Sequence, residues 1–378
     1  MGLQKQLRRW LCSVAGFVLV FSVFPCHSLA ISTSATSSIL VDVDSGRVLY
    51  EHNADAKMLI ASTTKILTAL VAIREGDLSD TVTVSAQAAG TEGSSMYLQA
   101  GEKLTLETLL YGLLLCSGND AAVALAECVT GVTELFVEQM NTRAKELGMT
   151  DTHFVNCTGL PAEGHVTSAW DIALMSRELI LNHPDIRNYT TIWMDSLRDG
   201  KSELVNTNKL IRFYEGATGL KTGSTDSALY CLSGTAERDG MELISVIMKA
   251  PTSAQRFDDA KALLSYGFST YALETIVPQE ALPPIPVELG TQATVQPVLG
   301  EGTALLLEKA NAGQLSQSVE LAESVAAPVA QGDVLGTLTV TAGEETVAQI
   351  PIVAGEDVAR VTFSQMFTQL LRLAFLGG

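Results

Sequence analysis

The sequence predicts an α/β chain of the α+β kind: a sheet flanked by helices, followed by a small β-rich domain and a C-terminal amphipathic helix. Three observations predict it. Period-two apolar alternation opens near residue 37 and returns near residue 216, and the stretch between them repeats apolar residues every three or four positions. The Pro-rich PQEALPPIPV, residues 278–287, then marks a change to short strands between glycine-containing turns. From residue 356 the spacing is helical again.

In chain order, SSILVDVDSGRVLYEH reads as a hairpin, with Ile39, Val41 and Val43 before a turn at Asp44-Ser45-Gly46 and Val48 and Tyr50 after it. TTKILTALVAIRE, LTLETLLYGLLLC, DAAVALAECV and ELFVEQMNTRAKELG each carry a helical apolar stripe. TSAWDIALMSRELILN adds a helix capped by Thr167 or Ser168, with Asp171 in its first turn. GLKTGS, ALYCLSGTAER and MELISVIMKA are β runs, the last two joined across Asp239-Gly240, a strong hairpin signal. RFDDAKALLSYGFSTY closes this part as a helix. Runs such as VLGTLTV and AQIPIV fill the β-rich part, and DVARVTFSQMFTQLLRLAFLGG ends the chain with Val361, Phe363, Phe367, Leu370 and Leu371 on one broad apolar side. The expected boundaries are 1–30, 31–273, 274–355 and 356–378.

Residues 1–30 read as a cleavable export signal. Lys5, Arg8 and Arg9 precede an apolar run from Trp10 to Phe24, and Ser28-Leu29-Ala30 offers small residues for cleavage. Fifteen apolar residues are few for a span, which takes about 20. Removing this segment leaves 21 basic against 42 acidic side chains, a net charge of −21. Such a chain excludes nucleic acid as an expected partner, since that binding neutralises phosphates. Cys116, Cys128, Cys157 and Cys231 lack C-x-x-C spacing and read as small buried hydrophobes. Cys116 and Cys128, if they shared one helix, would stand about 18 Å apart.

The stretch ASTTKILTAL, residues 61–70, sets Ser62 three positions before Lys65 on an apolar helical run. An amine so placed reaches the hydroxyl and activates a poor nucleophile. The plain alternative makes Ser62 an N-cap and lets Lys65 snorkel to water. Ser117-Gly118-Asn119 falls between two helices, and Lys221-Thr222-Gly223 falls at the end of a strand. Each tripeptide alone is an ordinary turn or strand end. Together, in this order, they follow the pattern S-x-x-K, S-x-N, K-T-G, with Gly118 where the S-D-N form has Asp.

These motifs resemble those of the serine-type D-alanyl-D-alanine carboxypeptidases, the low-molecular-weight penicillin-binding proteins. GLPAEGHVTSAWDIALMSREL (159–179), NTNKL (206–210) and GATGLKTGSTDSA (216–228) extend the likeness over most of the chain. The resemblance implies a β-lactamase/penicillin-binding-protein-like sheet in residues 31–273, no cofactor and no metal. It implies an acyl-enzyme on Ser62, Lys65 as a neutral base, Ser117 passing a proton to the departing D-alanine, and Asn119 holding Lys65 and a substrate amide. Lys221 would supply a neighbouring charge, Gly223 would leave room for the substrate backbone, and the Ser62 and Ser224 N–H groups would form the oxyanion hole. Thr222, Thr225 and Arg256 would receive the substrate carboxylate. The implied partners are peptidoglycan stem peptides ending in D-Ala-D-Ala, β-lactams as acylating inhibitors, and the outer face of the cytoplasmic membrane through the C-terminal helix.

Rival readings remain at this level. A β-lactamase would need a deacylating base, and Glu178 to Asn182, ELILN, matches E-x-x-L-N but continues a helix instead of lying on a loop. A D,D-endopeptidase shares the chemistry. A catalytically silent wall- or penicillin-binding protein differs in class, but every reactive residue of the motifs is present. His52, His153, His165 and His183 lack H-E-x-x-H spacing, which disfavours a zinc peptidase.

Overall fold

A hairpin of β1 (Ser37–Asp42) and β2 (Val48–His52) begins the described chain. The computed structural model describes residues 31–311 and 314–368, so the expected export signal and residues 369–378 of the terminal helix lie outside the described residues. A 3₁₀ turn, Ala61–Thr64, leads into α1 (Lys65–Glu75), followed by α2 (Leu106–Leu115), α3 (Asn119–Thr130), α4 (Thr133–Glu146) and α5 (Ala169–Asn182). A hairpin of β3 (Met194–Leu197) and β4 (Ser202–Val205) comes next. The chain then builds β5 (Ala217–Thr225), β6 (Leu229–Arg238), β7 (Met241–Ala250) and α6 (Ser253–Thr270).

The main sheet runs β2-β1-β7-β6-β5 and is antiparallel throughout. Residues separated by two hundred positions thus become neighbours, Ser37 opposite Met248 and Asp42 opposite Leu243. The sheet is covered on both faces. Ile39, Val41, Ile244, Val246 and Met248 point into the core formed with α1 to α5, while Leu40 and Leu243 meet α6, where Gly267 lets the helix sit close. This double burial is why Leu40 and Leu243, on the face opposite Ile39, Val41, Ile244 and Val246, are apolar too and blur the period-two alternation.

Each long helix named from periodicity upstream of residue 271 is present, and Ser168 caps α5 by accepting the Asp171 N–H. Cys116 ends α2 and Cys128 lies on α3, so they do not share a helix, and the four cysteines are free among the described residues. Glu178 lies within α5, paired with Arg143 and accepting from Asn182, and is therefore no loop base.

The C-terminal domain is β-rich. Its four-stranded sheet orders Pro297–Leu299, Glu345–Ala354, Val334–Ala342 and Leu315–Leu321, and its three-stranded sheet orders Thr294–Val295, Ile285–Glu288 and Val325–Ala326. Leu338, Val340, Ile350 and Ile352 fill one small core and Ile285, Val295, Val329 and Val358 another. The strand Tyr271–Thr275 leaves α6 directly and pairs with Ala304–Glu308. Arg47 stacks over the Tyr271 ring at 5.5 Å, and Lys309 donates to the Phe268 carbonyl at 2.7 Å.

Candidate active site

Ser62 lies on the 3₁₀ turn, and the α-helix starts at Lys65. The sequence places both on one α-helix; the difference favours the chemistry. In 3₁₀ geometry side chains three apart eclipse. Lys65 Nζ accordingly sits 3.1 Å from Ser62 Oγ. The N-cap and snorkelling alternatives both fail. The cap position of the turn is Ile60, and Lys65 is 0% exposed.

The buried amine has two further neighbours, the Asn119 side-chain oxygen and the Thr158 carbonyl, each at 2.6 Å. A neutral amine has two N–H donors and one lone pair. With both donors directed at these oxygens, the lone pair is left for the Ser62 hydroxyl. Burial pushes Lys65 down to about 7 from 10.5, while Cys157, Cys116 and Asp120 oppose the fall. The sequence reading expects desolvation together with a neighbouring Lys221 charge; burial is the leading cause, and Lys221 is not among the charges that act on Lys65.

Asn119 opens α3 directly after Gly118, and Ser117 just before it holds φ +64, a strained backbone for a residue with a side chain. Ser117 Oγ is buried with no hydrogen-bond partner among the described residues. Burial of an unpaired hydroxyl is costly and is tolerated where another group completes it.

β5 forms the opposite wall. Lys221 lies in mid-strand instead of at its end, 0% exposed, donating to the Thr222 carbonyl at 2.9 Å. Burial first, and the nearby Lys65 charge second, hold it well below the usual lysine value. Thr222 meets the Thr207 hydroxyl at 2.6 Å, Asn206 donates to the Thr190 and Ile192 carbonyls, and Asn208 donates to that of Gly219. The NTN turn thus fastens the strand to the helical side. A Cβ at Gly223 would stand 2.9 Å from the amide nitrogens of Ser62 and Thr63. Its missing side chain is therefore required by the protein's own close approach. Ser224 is exposed and Thr225 partly so at the strand's end, where Thr225 Oγ1 accepts the Ala228 N–H.

Arg256 is buried in α6, not a surface residue at a helix start, and its Nη1 donates to the carbonyls of Gly223 and Cys231 at 3.1 Å each. Burial lowers it to about 10. Its charge lies behind the last residues of β5.

Sequence reasoning missed the loop that serves Lys65. Asn156 Oδ1 accepts the N–H groups of Thr158 and Gly159, and the resulting turn aims the Thr158 carbonyl at the amine. Gly159 holds φ +85, and a Cβ there would lie 2.0 Å from the Ala61 carbonyl oxygen. The signal was N-x-x-G in NCTG, an Asx-turn pattern. His165 was missed as well: its Nε2 lies 2.9 Å from the Thr64 hydroxyl, and its Nδ1 accepts the Val155 N–H. Burial lowers it to about 4, so the ring is neutral near pH 7.

A serine beside a buried amine, with a strand edge across the gap, defines a site suited to serine acyl transfer on an α+β scaffold. Comparison with known proteins makes that class specific. The chain belongs to the peptidase S11 family of D-alanyl-D-alanine carboxypeptidases, whose family model matches residues 25–252, and the C-terminal domain model of penicillin-binding protein 5 matches residues 274–360. The D-alanyl-D-alanine carboxypeptidase DacF of Bacillus subtilis is 37% identical over 87% of this chain and 87% of its own length. Penicillin-binding protein 5 of Haemophilus influenzae superposes with a TM-score of 0.73 at 28% identity, covering 87% of this chain and 99% of that one. Penicillin-binding protein D2 of Listeria monocytogenes, solved in an ampicillin-bound form, is 34% identical with a TM-score of 0.58 and covers 63% of this chain and 99% of its own.

Proposed function

We propose that this chain is a penicillin-sensitive serine carboxypeptidase that removes the terminal D-alanine from peptidoglycan stem peptides. The observation that carries the reading is Lys65, buried and held by two carbonyl-type acceptors with its remaining valence on Ser62. In acylation Ser62 Oγ bonds to the carbonyl carbon of the penultimate D-alanine and Lys65 takes the hydroxyl proton. The N–H groups of Ser62 and Ser224 stabilise the oxyanion, since Gly223 brings β5 against the Ser62 amide. The C–N bond breaks as the proton passes through Ser117 to the leaving amine. Water then attacks the ester, and Ser62 recovers its proton.

Asn119 orients Lys65 and a substrate amide, and Lys221 lies buried beside them in the strand wall, its charged form disfavoured by burial and by Lys65. Thr222 and Thr225 donate to the terminal carboxylate, with the Arg256 charge behind them. A β-lactam presents a strained amide to the same serine. The ampicillin-bound relative supports this.

The protein is further proposed to be exported and to work at the outer face of the cytoplasmic membrane, held by the C-terminal helix. Among the described residues no helix is long and apolar enough to cross a membrane. Phe363 and Phe367, 84% and 53% exposed and stacked on each other, favour an interfacial contact.

Fluorescent penicillin labelling combined with D-alanine release from a D-Ala-D-Ala peptide tests the activity. Slow label release with free D-alanine is expected, and Ser62→Ala should abolish both with an unchanged melting curve. Rapid penicillin turnover would mark a β-lactamase instead. A folded Ser62→Ala protein that still labels would overturn the assignment.

A further inference from the structure

Asn119 gives Lys65 one of its two acceptors, and what holds Asn119 is a loop outside the three motifs. Glu92 and Ser94 accept from the Asn119 side-chain and main-chain N–H groups, each at 2.7 Å. Gly93, at φ +90, packs so close that a Cβ would lie 2.6 Å from Asn119 Nδ2.

This loop is gripped from two sides by opposite charges. Asp120, 1% exposed, accepts the N–H groups of Met96 and Leu98 at 3.1 and 3.0 Å and the Ser95 hydroxyl at 2.6 Å. Gly118 is required beneath it, since a Cβ there would stand 2.7 Å from Asp120 Oδ1. Arg198 takes the carbonyls: Nη1 donates to Met96 at 3.1 Å and Nη2 to Tyr97 at 3.2 Å. Glu102 orients the guanidinium through Nε and Nη2, and Ser202 accepts from Nη1.

Backbone strain accompanies the grip. Tyr97 holds φ +61 between the two clamping groups, and Arg198 holds φ +56 at the tip of the β3–β4 hairpin. Left-handed backbone suits Gly or Asn at such a tip. An arginine and a tyrosine kept there point to a demand that their surroundings impose.

We propose that Asp120 and Arg198 act as a pair of positioning residues for the acyl transfer, clamping residues 92–98 so that Asn119 presents its oxygen to Lys65. The inference rests on the carboxypeptidase reading. When the clamp loosens, Asn119 pivots, the amine loses one fixed acceptor, and its lone pair is no longer directed at Ser62. The β3–β4 hairpin thereby acts on the chemistry without touching substrate.

The test compares wild type with Arg198→Gln, Arg198→Lys, Asp120→Asn and the Gln/Asn double variant. Labelled sites are counted with fluorescent penicillin, and kcat and KM for D-alanine release are expressed per labelled site. Arg198→Gln should lower kcat per labelled site about tenfold and leave KM within about twofold, as expected for misplacement of a reacting group. Arg198→Lys should fall between, because an ammonium reaches one carbonyl but lacks the fork that Glu102 and both carbonyls use. The double variant should lose less than the product of the single losses, since both residues hold one loop. Solvent exchange of the Asn119 side-chain amide protons, followed by NMR, should quicken in Arg198→Gln, and this readout is independent of activity. Fewer labelled sites with unchanged kcat per site, or unchanged amide exchange, would overturn the clamp. Loss of labelling and D-alanine release in the folded wild-type chain would instead overturn the carboxypeptidase reading.

Discussion

Lys65, the proposed base, can act only when neutral, so on that reading its burial sets the working pH. The amine is held near about 7, against 10.5 for an ordinary lysine, and its proton leaves as the pH rises. The acylation rate is therefore expected to climb with pH through about 7 and then level off, an ascending limb and not a descending one. Lys65→Arg keeps the charge at every accessible pH and should reduce acylation by at least about a hundredfold. Penicillin labelling rates measured across this range decide the matter, and a flat profile or an active Lys65→Arg protein would require another base. The two residues of S-x-x-K were legible in the sequence because their spacing carries the contact. Thr158 was not, since a carbonyl has no residue signature and only the turn that aims it does.

At the scale of elements, the site is a junction of three pieces that approach through glycines. Gly159 seats the Asn156–Gly159 turn on Ala61, and Gly223 seats β5 on the Ser62 amide. Gly159→Ala meets both a left-handed backbone and a 2.0 Å approach to a carbonyl oxygen. It should destabilise the fold by at least about 2 kcal/mol. The residual folded protein should label slowly, because the Thr158 carbonyl moves with the turn. A denaturant midpoint equal to wild type would refute this. Long helices and the late hairpin were legible because periodicity and Asp239-Gly240 are local signals. The β3–β4 hairpin carries the same local signal, Asp199-Gly200 at its tip, but its strands are only four residues each and lack an apolar alternation to flank it, so the signal was passed over. The sheet order was equally hidden, since pairing of β1 with β7 is written in burial on both faces and not in any turn.

At the scale of the whole molecule, the three motifs all fall within residues 25–252, apart from the C-terminal domain match at 274–360. On the proposed mechanism, acylation by a β-lactam is expected to need neither the β-rich domain nor the terminal helix. Deleting residues 357–378 should therefore leave labelling intact while the protein no longer sediments with vesicles. Apolar burial of about 0.8 kcal/mol per CH₂ makes the Phe and Leu side chains the main contributors, against the repulsion of an acidic chain from anionic lipid. Equal sedimentation of the full and shortened proteins would make the helix an ordinary docked terminus.

The wall that faces Ser62 is β5, and β5 is joined through β6 and β7 to β1. No stretch shorter than residues 62 to 225 contains both sides of the cleft. During synthesis the helices can form as they appear, but the nucleophile has no partner surface until the late strands exist. Pairings of such sequence separation are slow to close. On the proposed mechanism a β-lactam consequently has no target on an unfinished chain, and the interval between the last strand and the closed sheet is a time during which the protein exists but is drug-blind.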